Sequence, residues 1–97
     1  MRSVRLPYKF GRRGATMQYS MSEKGQLVAE YYRYSDKGKP RFAGYAKYKS
    51  YIGYNRARIG ARKPHFKPKS GHYMVELRVT DESNNTSKVK RRQFRVW

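Results

Sequence analysis

Between Asp36 and Glu76 the chain holds eleven basic residues and seven Tyr or Phe, with no carboxylate among them. Arg41, Arg56, Arg58, Arg62, Lys63, Lys67 and Lys69 are the cations of that stretch best suited to phosphate, and Arg12 and Arg13 join them from nearer the start of the chain. Tyr45, Tyr48, Tyr51 and Tyr54 are interleaved with them. Guanidinium and ammonium groups bind phosphate oxygens, while flat phenol rings stack on bases or donate to phosphate. Uncompensated like charges also repel one another until a polyanion neutralises them. The chemistry expected of this constellation is therefore nucleic-acid binding. About half of the four tyrosines are expected to pack the core instead.

Composition agrees. The 97 residues carry a formal net charge of +18 and a sequence pI near 10.6, which calls for a polyanionic partner. Ile, Leu, Val and Phe number only fifteen, so the core is thin, and the ten tyrosines and Trp97 must supply much of the buried area. Cysteine is absent, which excludes disulfides and thiolate metal sites. No apolar run approaches the length of a membrane span or a signal-peptide core. The expected location is the cytoplasm or a virion or ribonucleoprotein-type assembly, with no membrane contact.

The elements that must position these residues read as strands. Residues 1–16 mix five arginines and lysines with glycine and proline, and are expected to form a flexible basic arm, with room for a short strand at Val4–Leu6, ahead of one β domain over 17–97. Met17–Met21 reads as a short strand, followed by a turn at Ser22–Gly25. Gln26–Tyr34 and Arg41–Lys49 read as a hairpin about the Ser35–Pro40 turn. Beyond Lys49 the tyrosines recur every three residues, a spacing that fits neither strand nor helix, so an irregular basic loop is expected to Ser70. Tyr73, Val75, Leu77 and Val79 then alternate with polar positions as a half-buried strand. A turn at Asp81–Asn85 leads to a last strand over Thr86–Trp97 with Phe94 and Val96 on its apolar side.

Pro64-His65-Phe66, the run from Ser70 through Tyr73 to Thr80-Asp81, Asn85-Thr86-Ser87 and Phe94-Arg95-Val96 resemble the last two strands of PKD-type immunoglobulin-like domains. The resemblance covers the last third of the chain; the family's earlier Trp-Asp and Gly-Asp-Gly signature is missing. It implies a small immunoglobulin-like β-sandwich, all-β, and speaks to architecture more than to activity.

Enzymatic chemistry has little to build on. His65 and His72 lack the further ligands a zinc site needs, and neither a nucleophile elbow nor a phosphate-loop fingerprint occurs, so no metal or cofactor is expected. Tyr51-Ile52-Gly53 with Arg56, Arg58 and Arg62 resembles the second half of the GIY-YIG nuclease signature, which would make Glu76 the metal-binding carboxylate. Pro64 and Pro68 fall where that fold requires a helix.

Three functions follow. The first is a non-enzymatic, largely sequence-independent DNA- or RNA-binding protein. If it neutralises about six phosphates, affinity falls by roughly three powers of ten between 50 and 200 mM salt. The second is an immunoglobulin-like structural subunit of a large assembly such as a phage virion, its basic surface facing acidic protein or packaged DNA. The third is the nuclease.

Overall fold

The computed structural model describes residues 2–35, 38–81, 86 and 89–97, and every described element is a strand. In chain order these are β1 (Arg2–Arg5), β2 (Lys9–Phe10), β3 (Ala15–Met21), β4 (Gly25–Tyr34), β5 (Pro40–Ser50), β6 (Gly53–Ile59), β7 (Gly71–Asp81) and β8 (Lys90–Val96). They form a three-stranded sheet ordered β1-β3-β6 and a five-stranded sheet ordered β2-β8-β7-β4-β5. Among the described residues no helix is long and apolar enough to cross a membrane.

Alternation sets the layers. Leu27, Ala29 and Tyr31 of β4, with Tyr73, Val75, Leu77 and Val79 of β7, turn inward from the five-stranded sheet. Met17, Tyr19 and Met21 of β3, with Ala57 and Ile59 of β6, face them from the three-stranded sheet, and both sets join one core. Period-two burial of this kind fixes register, because a one-residue slip would exchange the two faces. The β8-β7-β4-β5 order is the G-F-C-C′ order of immunoglobulin-like sandwiches. A second feature matches. At the start of β7 the Tyr73 hydroxyl donates to the Lys69 carbonyl at 3.0 Å and accepts from the Lys69 amide at 3.0 Å, as a tyrosine corner does.

Aromatic rings fill the core where aliphatic residues are scarce. Phe10 stacks on Phe94 at 4.8 Å, Phe94 on Tyr73 at 5.3 Å, and Tyr31 on Phe66 at 3.9 Å. Each such pair contributes roughly 0.5–1.5 kcal/mol beyond its burial.

Three expectations are corrected, the last of them the start of the final strand. Of the expected basic arm over 1–16, the described residues 2–16 are tied into the sheets: β1 pairs with β3, β2 pairs with β8, and β3 begins at Ala15. Phe10 is buried, and Val4 and Leu6 pack against the core, so apolar residues anchor what its cations made look like a tail. The irregular loop to Ser70 contains β6, which pairs along its whole length with β3. Its Asn55, Ala57 and Ile59 face inward while Tyr54, Arg56 and Arg58 face outward.

The 60–70 connection that remains is fixed in place. The Gly60 amide donates to the Tyr31 hydroxyl at 2.9 Å, Tyr73 holds Lys69, and Phe66 lies in the core. The Tyr45 amide donates to the His65 carbonyl at 3.0 Å. A Cβ on Gly44 would come within 2.1 Å of that same carbonyl oxygen, so the close approach requires glycine. The last strand spans Lys90–Val96 rather than starting at Thr86, and most of the expected 81–85 turn lies outside the described residues.

Candidate nucleic-acid interface

The three-stranded sheet turns its outer face to solvent with Thr16 and Gln18 of β3, Tyr54, Arg56 and Arg58 of β6, and Arg5 of β1. Register places Arg5, Gln18 and Arg56 in one row across the three strands, and Thr16 beside Arg58 in a neighbouring row. None of the three strands contains an Asp or Glu. Beside the first row lies an open groove of about 710 Å³, lined by Arg5, Gln18, Lys49, Tyr51, Tyr54, Asn55 and Arg56.

The backbone that carries the aromatic wall of this groove is held by hydrogen bonds. Asn55, nearly buried, accepts from the Tyr51 amide at 2.9 Å through Oδ1 and donates through Nδ2 to the Tyr51 carbonyl at 2.7 Å. The same Nδ2 also lies 3.2 Å from the Gly53 carbonyl. Buried Ser50, just ahead of the turn, shares a 2.7 Å hydrogen bond with the Tyr19 hydroxyl. Gly53 supplies the left-handed φ of +94° that the turn needs. Two buried polar anchors thus fix a turn whose Tyr51 is 62% exposed and whose Tyr54 is 84% exposed. With the backbone of the turn already ordered, stacking on these exposed rings requires no further backbone ordering.

The expected site residues divide into three groups. Tyr51, Tyr54 and Arg56 line the groove, and Arg58 stands beyond them on β6. Arg58 also carries a structural duty: its Nε donates to the Arg13 carbonyl at 2.8 Å, which brings the Arg12–Arg13 turn to the edge of this face. A second group surrounds Ser70. Arg12 Nη2 lies 3.4 Å from Ser70 Oγ, Arg33 donates to the Ser70 carbonyl at 2.7 Å, and Lys67 and Lys69 line a cleft with Arg33. Arg41 is exposed opposite Arg33 in the β4–β5 pairing, and Arg62 is exposed just beyond β6.

The third group is structural. Tyr48 turns inward against the core, donates to the Arg58 carbonyl at 2.7 Å and carries Lys63 over its ring at 5.4 Å. Burial pushes its phenol above the ordinary tyrosine range. Tyr45 stacks on His65 at 4.6 Å beside the five-stranded sheet. These two tyrosines and Lys63 are therefore removed from the stacking surface by ring contacts of their own. Arg5, Gln18 and Lys49 are groove residues that the sequence reading left out of the site. The signal that could have found the first two was the alternation of β3 and β6, whose pairing brings β1 alongside.

Glu76, the carboxylate required by the nuclease resemblance, is on the outer face of the other sheet. It lies 3.2 Å from Arg91 Nε and 3.7 Å from Arg78 Nη2, and Arg78 also pairs with Glu30. The structure does not bring Glu76 together with Tyr51 or Arg56. Among the described residues no cluster of three or more His, Asp or Glu could hold a metal. His72 stacks on Tyr34 at 4.6 Å, with Nε2 3.2 Å from Gln93. Compared with known proteins, the chain matches no family model, no curated protein and no solved structure.

Proposed function

We propose that this protein is a non-enzymatic nucleic-acid-binding module whose contact surface is the outer face of the three-stranded sheet. The observation that carries the reading is a sheet face bearing Arg5, Arg56 and Arg58 without a carboxylate, flanked by a groove with two exposed tyrosines. Arginine forks engage phosphate oxygens, and rings stack on any base, so recognition is largely independent of sequence. Among the described residues no helix is present to enter a major groove.

The test is retention of random-sequence DNA and RNA as salt rises. With about five phosphates neutralised on a single strand, affinity should drop roughly a hundredfold between 50 and 200 mM salt. Arg5→Glu combined with Arg56→Glu should lower affinity by about a further hundredfold and flatten the salt slope by about two. Retention unaffected by both salt and this double reversal would remove the proposal.

A second reading, a structural subunit of a large assembly such as a phage particle, draws support from aromatic residues exposed away from the groove. Tyr8 is 56%, Phe42 57% and Trp97 64% exposed. Rings of that size are surfaces a neighbouring protein could cover. Co-purification with a particle, together with indifference to free nucleic acid, would favour it. A PKD-type ancestry belongs with this reading, as does residence in a virion.

A further inference from the structure

We infer that the groove beside Tyr51 and Tyr54 takes single-stranded nucleic acid in preference to duplex, an inference that rests on the reading above and adds the strand state of the ligand. Three observations converge on it. Tyr54 stands 84% exposed and Tyr51 62% exposed on one short turn, with Ile52 between them 72% exposed. This is an apolar tip in a strongly cationic neighbourhood. The Asn55 amide and the Ser50–Tyr19 hydrogen bond fix the backbone of that turn from beneath, which sets where the two ring-bearing residues emerge from the surface. The groove opens between this tip and the cationic row, with Lys49 on its wall and Arg5 and Arg56 beside it.

A duplex hides the faces of its bases and offers only their edges and the phosphates. It could touch the cations along the rim while leaving both rings against water. A single strand exposes base faces, and stacking them on tyrosine buries apolar area on both partners. Its flexible backbone can also follow the sheet. Outward residues on one strand recur about every 6.8 Å, so Tyr54, Arg56 and Arg58 form a ladder along β6. Arg5 stands two strands away, at roughly 10 Å, where a curving backbone can reach it. In this arrangement bases lie on Tyr54 and Tyr51 while the adjoining phosphates meet Arg56, Arg5 and Lys49. Gln18, in the row between the two arginines, offers an amide to either a phosphate or a base edge.

The experiment compares three probes on the full chain in dilute buffer: a short oligothymidylate, an abasic phosphodiester chain of the same length, and a duplex of the same length. The oligothymidylate should bind roughly tenfold or more tightly than either of the others, with tyrosine fluorescence quenched on binding. Tyr54→Ala should weaken it by roughly 5- to 100-fold and leave abasic and duplex binding unchanged, whereas Tyr54→Phe should retain the preference. Equal binding of all three probes, or oligothymidylate affinity indifferent to Tyr54→Ala, would overturn the inference while the polyanion-binding function stood. Failure of every probe to bind would overturn both. Because Tyr54 is so exposed, Tyr54→Ala should keep the wild-type melting temperature, which separates lost stacking from lost folding.

Discussion

The two outer faces of this sandwich use the same residue types for opposite ends. On the five-stranded sheet, arginine meets carboxylate: Arg78 pairs with Glu30 and Glu76, and Arg91 with Glu76. There aromatic meets aromatic, with Tyr34 on His72, Tyr32 against Phe42 and Tyr45 on His65. On the three-stranded sheet, Arg5 and Arg56 face outward with no acidic residue on any strand, and Tyr51 and Tyr54 stand uncovered. On the first face these groups pair with one another, whereas the face proposed to bind leaves its rings uncovered and has no carboxylate on its strands. Under the proposed function, the signal lies less in the abundance of Arg and Tyr than in the places where their usual partners are withheld. Even the phenols report the difference. Tyr32 is pushed up by burial and then by the Glu30 and Glu76 carboxylates, with Arg78 and Arg91 opposing them.

The comparison breaks most completely at high pH, since both faces share one core. Burial raises the phenols of Tyr19, Tyr31 and Tyr48 above the ordinary value near 10. The stability they contribute is fully present below about pH 10 and is lost as pH climbs through their raised values, because the unfolded chain releases those protons first. Absorbance titration of the phenolates should show a late group of tyrosines that ionises only as the protein unfolds, and oligonucleotide binding should vanish with it. Ionisation of all ten tyrosines in one step near pH 10, with the fold intact, would contradict this packing.

A smaller effect, centred on the face proposed to bind, is expected from Asn55→Ala. Removing the amide leaves the Tyr51 backbone groups without their partner, at about 1–3 kcal/mol, or a fall in Tm of several degrees. Oligothymidylate affinity should fall too, although residue 55 itself need not touch the ligand. Unchanged affinity in a folded variant would mean that rigidity of the turn does not matter. The smallest effect is expected on the opposite face. Glu76→Gln removes a partly exposed carboxylate whose pairs contribute about 0–1 kcal/mol, and binding at the groove should change by less than about twofold. A large gain or loss of affinity there would show that the two faces are not independent.

Much of the fold was legible because it is periodic. Leu27, Ala29 and Tyr31, and then Tyr73, Val75, Leu77 and Val79, announce β4 and β7 by strict alternation. The strand at 53–59 obeys the same rule through Asn55, Ala57 and Ile59, but a small and a polar residue on its inner face dilute the signal. The three-residue spacing of Tyr45, Tyr48, Tyr51 and Tyr54 drew attention elsewhere, and that spacing comes from a turn between two strands. Arg56, Tyr54 and Tyr51 could be picked out from composition. Arg5 and Gln18 could not, since they reach Arg56 only through pairing between segments far apart in the chain. Residues 2–10 were obscured for the same reason: the parallel pairing of β2 with β8 joins the two ends of the sequence.

The 60–70 connection carries Arg62, Lys63, Lys67 and Lys69 and is pinned by the Tyr31 and Tyr73 hydroxyls and by the Phe66 ring. Its conformational entropy is lost during folding, not at the moment of encounter. Under the proposed function, a polyanion meets this connection with its backbone already ordered. No ordering of that segment is then needed between collision and complex.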